Sequence, residues 1–483
     1  MGLSGKHVCM ALMMGVSLSA CVSAPPVRVA SATLPPAYSA TNATLPAAQL
    51  DKWWLAYSDP QLTQLIEQAL GSGFNVREAF ARLQEARALR AGALNSFRVQ
   101  GDVSATGQVQ RTQQISGGTD LDIPGLPSGA LGGSATSGTA SVNLPVSWEL
   151  DLFGRRGATR RVADADLAAA RFDYEGVRAA SAAEVARTLF QARGIAIQIE
   201  DARASARIQR RLFDLLTKRA DRGLAPRSEA DRVQADLAQA EALDADLVGA
   251  LDATRRALLV LVGSGTSPIS SLGIAAQVPA HPPVPAAVPG ELLQRRPDVR
   301  EAEARLQAAI GNVRLSELAF FPRITLRPTA GLNYTSGDFG GLSAVAGLGA
   351  GLTAPIFDRA RLRSQLGVSS ARAEGAVLAY ERTVQNAYSE ADQALIRLAG
   401  DRVRIARLEA GSAAAERAYT AALRRFELGF SDLQAVLDAE RVARGSRTAL
   451  TTARLEGVQR SVQAFQALGG GWDVIPSSPD PRG

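Results

Sequence analysis

Four segments of this chain alternate apolar and polar residues over about ten positions each, so each reads as a strand with one apolar and one polar face. In the first, Val99, Gly101, Val103, Ala105, Gly107 and Val109 alternate with Gln100, Asp102, Ser104, Thr106, Gln108 and Gln110. The same period recurs from Ala140 to Trp148, from Ile324 to Tyr334 and from Leu342 to Leu352. These lengths suit tilted strands crossing a bilayer, and a soluble β-sandwich is the other structure that alternation allows. Hydrocarbon tolerates no bare strand edge, and membrane barrels need at least about eight strands. One chain offers four. If they are membrane strands they must be pooled with other copies, two giving eight, three twelve and four sixteen, and strand arithmetic alone does not choose. Ser116 to Ser137, rich in Gly, Ser and Pro, reads as an exterior loop, and the second pair turns at Ser336-Gly337-Asp338.

The chain also repeats itself. Val76 to Ala86 reads VREAFARLQEA and Val299 to Ala309 reads VREAEARLQAA. A second correspondence, offset by 206, pairs Tyr174 with Tyr380, Glu184 with Glu390, Arg219 with Arg425 and Gly223 with Gly429. Two copies are too few for an open solenoid, so the pair reads as one pseudo-symmetric subunit. Each copy orders a helix, two strands and two very long helices. From Ala158 to Arg222 there is no Pro, and small or apolar residues recur at Leu189, Ala192, Ala196, Ile199, Ala202 and Ala206, a helical period. That run predicts a helix of roughly 100 Å, far beyond an ordinary globular helix, hence a coiled coil or helical tube. The long helices break at Arg222-Gly223-Leu224-Ala225-Pro226 and at Leu428-Gly429-Phe430-Ser431-Asp432, which read as hairpin tips. A plain turn with no partner is the other reading of these tips.

At the N-terminus, Lys6 and His7 precede an apolar stretch from Val8 to Ala20, too short to span a membrane but suited to a signal peptide. It ends in Leu18-Ser19-Ala20-Cys21, which resembles a bacterial lipobox, with Cys21 the lipidated residue. Val22 follows, and the lipobox resemblance implies delivery to the outer membrane. The expected organisation is a signal peptide (1–20), a lipidated tether (21–60), a first repeat (61–262), a Pro-rich connector (263–297), a second repeat (298–470) and a flexible tail (471–483). Strands are expected near 97–113, 137–151, 321–336 and 339–357.

Composition closes off several functions. Fifty-three basic residues stand against 47 acidic, spread without a run of like charge, so no nucleic-acid stripe forms. Removal of the signal peptide would leave Cys21 and His281 as the only Cys and His, which excludes a disulfide or a His/Cys metal centre. His281 lies among prolines, and Gly347-Leu348-Gly349-Ala350-Gly351 falls inside an alternating strand with no phosphate-binding Lys, so close packing accounts for it. No enzyme site assembles, and neither cofactor nor metal is expected.

Several motifs then occur in a fixed order: Lys52-Trp53-Trp54 through Asp59-Pro60-Gln61-Leu62; Trp148 through Arg155; Leu292-Leu293-Gln294-Arg295-Arg296-Pro297-Asp298-Val299; Phe321-Pro322; and Pro355-Ile356-Phe357. In these the chain resembles the TolC-like outer-membrane factors of tripartite efflux systems, in the lipoprotein branch serving resistance-nodulation-division pumps. The resemblance implies a mixed fold in which a long α-helical barrel continues a transmembrane β-barrel, built as a homotrimer from four strands per protomer. It implies a lipid-anchored outer-membrane protein with a large periplasmic helical domain. Its role would be a passive exit duct for drugs and other small molecules, delivered by an inner-membrane pump through a periplasmic adaptor. The tips at Gly223, Leu224, Gly429 and Phe430 would meet the adaptor. The family's aperture pair, Asp-x-x-Arg, falls at Asp438 and Arg441, with Gln434 where relatives often place a narrowing Leu. An exposed i,i+3 ion pair is the plainer reading of Asp438 and Arg441. The family turn Phe-Asp-Gly-Gly is here Phe357-Asp358-Arg359-Ala360, so its backbone is expected to differ. Two other functions fit the same features: a channel for type I protein secretion, and a periplasmic scaffold or adaptor lipoprotein without a pore.

Overall fold

Proline, glycine and capping side chains set the limits of the elements in a computed structural model of the chain, which describes residues 27–31, 33–39, 50–113, 135–283, 289–336 and 340–472. In order these are α1 (Pro60–Ser72), α2 (Phe74–Asn95), β1 (Gln100–Gly101), β2 (Ser104–Thr112), β3 (Ala135–Leu150), α3 (Arg155–Asp221) and α4 (Arg227–Leu261). There follow α5 (Leu292–Arg295), α6 (Pro297–Leu318), β4 (Arg323–Thr335), β5 (Gly341–Thr353), α7 (Arg359–Glu427) and α8 (Leu433–Ala467). Pro60 sits in the first turn of α1, where a missing N–H costs nothing, and Asp59 caps that helix by accepting from the Leu62 amide at 3.1 Å. Asp151 does the same for α3, accepting from the amides of Arg155 and Arg156 at 2.7 and 3.0 Å. At 67 residues α3 is roughly 100 Å long, and α7 has 69.

The expected first strand is two segments. Asp102 and Val103 interrupt it, and the end of α2 takes up the residues before it, with the Phe97 and Arg98 amides donating to the carbonyls of Leu94 and Asn95. Pro355, lacking an N–H, follows the end of β5 at Thr353. Residues 114–134 and 337–339, which include most of the expected exterior loop and of the second turn, lie outside the described residues, as do 1–26 and 473–483. At the departed family turn, Arg359 opens α7 and no residue from Phe357 to Ala360 has a positive φ.

The chain divides into two compact units. One comprises Met1–Arg28, Arg87–Asp166 and Leu306–Ala376. It holds the sheet, wholly antiparallel, in which β1 and β2 both pair with one side of β3, followed by β4 and then β5. Its helical core joins Val313 and Phe320 to Leu362, Leu366 and Ala373 of α7, with Val27 against them.

The other unit comprises Val29–Ala86, Leu167–Arg305 and Val377–Gly483. Trp53 is fully buried and stacked on Phe465 of α8, ring centres 5.7 Å apart, with Tyr57 and Phe190 completing an aromatic centre. Ala182, Ala183 and Ala186 of α3, Ala391 of α7 and Ala464 of α8 are buried in the same cluster, where small side chains let helices approach closely. The segment read as a tether is seated on α7 within this unit. Ser31 donates its amide to Glu381, Ser39 donates to Asp392, and Tyr38 stacks on Tyr388. Among the described residues no helix is long and apolar enough to cross a membrane, which says nothing of the strands.

Gly469 ends α8 with φ 77°, and a Cβ there would lie 2.7 Å from the Arg295 carbonyl oxygen; Gly223 ends α3 with φ 65° in open space. Both Gly→Ala changes incur the left-handed cost of about 1–2 kcal/mol, and only Gly469→Ala adds a collision with backbone. Gly469→Ala is therefore expected to lower the thermal unfolding midpoint in detergent further than Gly223→Ala, and equal shifts would contradict this packing.

Candidate functional site

The register of the sheet sorts its residues by polarity. Ala105 lies opposite Val142, Val142 opposite Leu332, and Leu332 opposite Ala344; Leu144, Ala330 and Ala346 form a second such row, and Leu150, Ile324 and Leu352 a third. These rows make one continuous apolar face that is open to solvent in the single chain, with Leu342 and Leu348 more than two-thirds exposed. The opposite face carries Thr106, Ser141, Asn333 and Ser343 in one row and Glu149, Thr325 and Gly351 in another. On that polar face Gly347 and Gly351 of β5 leave room for neighbouring hydroxyls, since a Cβ on either would lie about 3 Å from Thr329 Oγ1 or Thr325 Oγ1. Trp148 and Tyr334 sit on the apolar face at opposite ends. Trp148 is level with Leu326, and from Leu326 to Tyr334 is roughly 26 Å of strand. Membrane strands carry aromatic residues at both ends of a comparable apolar band. Among the described residues, β5 pairs only with β4, and β2 only with β3, so both outer edges of the sheet are bare.

The two hairpin tips share one geometry. At the end of α3 the Gly223 amide donates to Ala220 and the Leu224 amide to Arg219; at the end of α7 the Gly429 amide donates to Phe426 and the Phe430 amide to Arg425. Both glycines have positive φ, as this cap requires. Leu224, Leu428 and Phe430 project as exposed apolar side chains, unusual for turns that only reverse the chain. Asp432 then caps α8 by accepting from the Ala435 amide at 2.9 Å, whereas Pro226 precedes α4 with no side-chain cap. Ser228 lies inside the first turn of α4, and the buried Ser431 Oγ makes no hydrogen bond.

Gln434, Asp438 and Arg441 lie on one exposed strip of α8. Gln434 Nε2 donates to both carboxylate oxygens of Asp438 at 2.9 Å, and Asp438 stands 3.7 Å from Arg441, with both side chains more than half exposed. Within one chain, then, Asp438 and Arg441 form the plain i,i+3 pair. Sequence reasoning missed Arg232 of α4, whose guanidinium donates to Gln434 Oε1 at 2.6 Å and ties the two hairpins together. No local pattern marks an Arg that reaches 202 positions along the chain.

Asp59, Gln61, Arg295, Arg296 and Asp298 of the motifs hold the fold together. Arg193, which no motif flagged, forks onto Asp59 and Gln61, and both members of the Arg193–Asp59 pair are about nine-tenths buried. Arg296 spans Asp298 and Glu390, and Trp472 donates its indole N–H to the Arg295 carbonyl. His281 is half-buried; burial, then the charge of Arg402, hold its imidazole below the ordinary value and thus neutral at pH 7. No group of three or more His, Cys, Asp or Glu able to hold a metal occurs among the described residues. Cys21 lies outside them.

The family described as "Outer membrane efflux protein" matches residues 65–264 and 288–470. The chain is similar to the pyoverdine export outer membrane protein OpmQ of Pseudomonas putida, at 30% identity over 97% of this chain and 98% of the relative. It is 29% identical to outer membrane protein OprJ of Pseudomonas aeruginosa, over 96% and 95% of the two chains. Among solved structures it resembles the outer-membrane channel OprN, with a TM-score of 0.76 and 29% identity across 94% of this chain and all of that one.

Burial alone would raise the Asp59 carboxyl, but hydrogen bonds from Arg193 and the Leu62 amide, with the Arg193 charge, hold it below the usual carboxylate range. Such a group stabilises fully above its unfolded value of about 3.9 and loses that contribution as pH falls through its folded value. Asp59→Asn is expected to lower the unfolding midpoint at pH 7 and to flatten its fall between about pH 5 and pH 2. An acid limb as steep as the wild type's would contradict the assignment.

Proposed function

The chain belongs to the outer membrane efflux protein family, and from that premise we propose that it is the exit duct of a tripartite pump, closed into a tube by three identical chains. It is an outer-membrane channel of an efflux system, not an enzyme. The observation that carries closure among copies is the sheet, with one apolar face, one polar face and two bare edges among the described residues, and the number three comes from the family resemblance. Three copies joining β5 of one to β2 of the next give twelve strands, with the apolar rows to lipid and the hydroxyl rows to a watery bore.

The two halves of the chain support a pseudo-symmetric staple of this kind. α2 and α6 both have 22 residues, and α4 and α8 both have 35. The two sequence offsets, 223 and 206, differ by 17, and the connection after β2 (113–134) is longer by that amount than the one after β4 (336–340). Repetition gives six hairpins in a trimer, enough for the long helices to enclose a periplasmic tube.

In this reading the exposed Leu224, Leu428 and Phe430 at the tips meet the periplasmic adaptor, which receives its cargo from an inner-membrane resistance-nodulation-division pump. Asp438 and Arg441, both more than half exposed within one chain, meet their counterparts on neighbouring copies and narrow the bore. Cys21, acylated after signal-peptide removal, adds an anchor in the outer membrane. OpmQ is named for pyoverdine export and another relative, TtgC of Pseudomonas putida, for toluene efflux, which favours small organic solutes over secreted proteins.

A strain deleted for the gene is expected to become sensitive to part of a panel of drugs, dyes and solvents and to recover with the wild-type gene. In planar bilayers, replacing both Asp438 and Arg441 by Ala is expected to raise conductance several-fold. Unchanged conductance would remove the pair from the gate, and unchanged sensitivity across the panel would count against efflux of these solutes.

A further inference from the structure

The stretch Asp438-Ala439-Glu440-Arg441 presents two opposite faces. Asp438 and Arg441 are exposed, but Glu440 between them is only 2% exposed. At about 100° per residue, Glu440 lies some 200° around α8 from Asp438, on the far side of the helix. There its Oε1 accepts a hydrogen bond from Ser205 Oγ of α3 at 3.0 Å, and Ser205 is 1% exposed. Arg444, one turn further along α8, approaches the same oxygen only to 4.0 Å. Apolar side chains border the contact, with Leu437 and Ala443 of α8 in one cluster with Leu212 and Leu216 of α3, while the charges of Arg211, Glu416 and Arg447 also act on the neighbouring Tyr419. Tyr419 of α7 belongs to the same cluster, its phenol raised by burial and then by the Glu440 charge.

A carboxylate in such a seam is poor value as a stabiliser, since an apolar side chain of similar size packs there as well or better. The best-attested use of a buried polar group between helices is to fix their register and rotation. Rotating α8 enough to move Asp438 and Arg441 would drag Glu440 out of the seam. Ser205 would then be left without its acceptor in a water-poor layer, so the contact opposes that rotation.

We propose that Glu440 is a positioning residue of the channel: its bond to Ser205 sets the rotation of α8 against α3 and so holds Asp438 and Arg441 toward the neighbouring copy. The inference rests on the channel reading above and assigns the hold on the gate to a residue that does not line it. On the exposed side, Arg232 and Gln434 brace the same helix against α4.

The test is planar-bilayer conductance of the full-length protein, with thermal melting as a control for folding. Glu440→Gln keeps an acceptor oxygen for Ser205 and is expected to conduct as the wild type does. Glu440→Leu and Ser205→Ala remove the bond and are expected to raise conductance several-fold, with Glu440→Leu melting below wild type because the buried Ser205 hydroxyl loses its acceptor. Wild-type conductance in both bond-breaking variants would overturn the proposal and assign Glu440 to stability alone. A rise in Glu440→Gln equal to that in Glu440→Leu would overturn it too, because charge and not the bond would then be the determinant. Should Glu440→Leu fail to fold, Ser205→Ala, which deletes one hydroxyl, decides alone. A wild type that never conducts would overturn the channel reading, and this inference with it, a result distinct from a conducting wild type whose variants do not differ.

Discussion

A strand edge that meets hydrocarbon leaves amides and carbonyls without partners, each costing several kcal/mol, and this cost governs the architecture of the chain. The sheet carries one apolar face along its strands, and among the described residues the outer edges of β2 and β5 have no strand partner. Water would penalise the face and lipid would penalise the edges. In the proposed assembly, closure with further copies relieves both, and identical chains together form a wall with a polar lining. Among the described residues no helix is long and apolar enough to cross a membrane, and in the proposed assembly the strands are the membrane-crossing elements.

In the proposed tube the helical part answers a different requirement, that of a long wall with little thickness. Small residues do most of the close packing, as at Ala182, Ala186 and Ala464, while a single aromatic centre around Trp53, Tyr57 and Phe465 gathers α1, α3 and α8. Polar groups supply what a uniform alanine seam lacks. Arg193 on Asp59, Arg296 across Asp298 and Glu390, and Ser205 on Glu440 each admit one setting of the helices they join. A surface built this way can keep a fixed rest state and still be moved where one of these contacts is released.

Much of this was legible in the sequence because it is periodic. Alternation marked all four strand regions to within a few residues, and the Pro-free run from Ala158 gave α3 almost whole. The glycines at 223 and 429 marked the tips because a left-handed cap is a common helix ending that Gly adopts without strain. What the sequence withheld is whatever depends on distant partners. The break at Asp102 and Val103 falls inside a regular alternation, and Arg232 meets a residue on another hairpin. Arg193 has no motif of its own, although its partner Asp59 lies in one. Within Asp438-Ala439-Glu440-Arg441, two charges face water and one faces the core, a distinction that requires knowing where α3 lies.

Edge-to-edge cross-linking in the membrane addresses closure most directly. Mature protein would retain only the lipidated Cys21, so new thiols can be read without interference. A cysteine in place of Gln108 on β2 can be combined in turn with cysteines replacing Ser343, Val345 and Gly347 on β5, all on the polar face. Closure among copies predicts that at least one register gives covalent dimers and trimers on a non-reducing gel after mild oxidation in outer membranes. Membrane-embedded protein that stays monomeric at every register would contradict it.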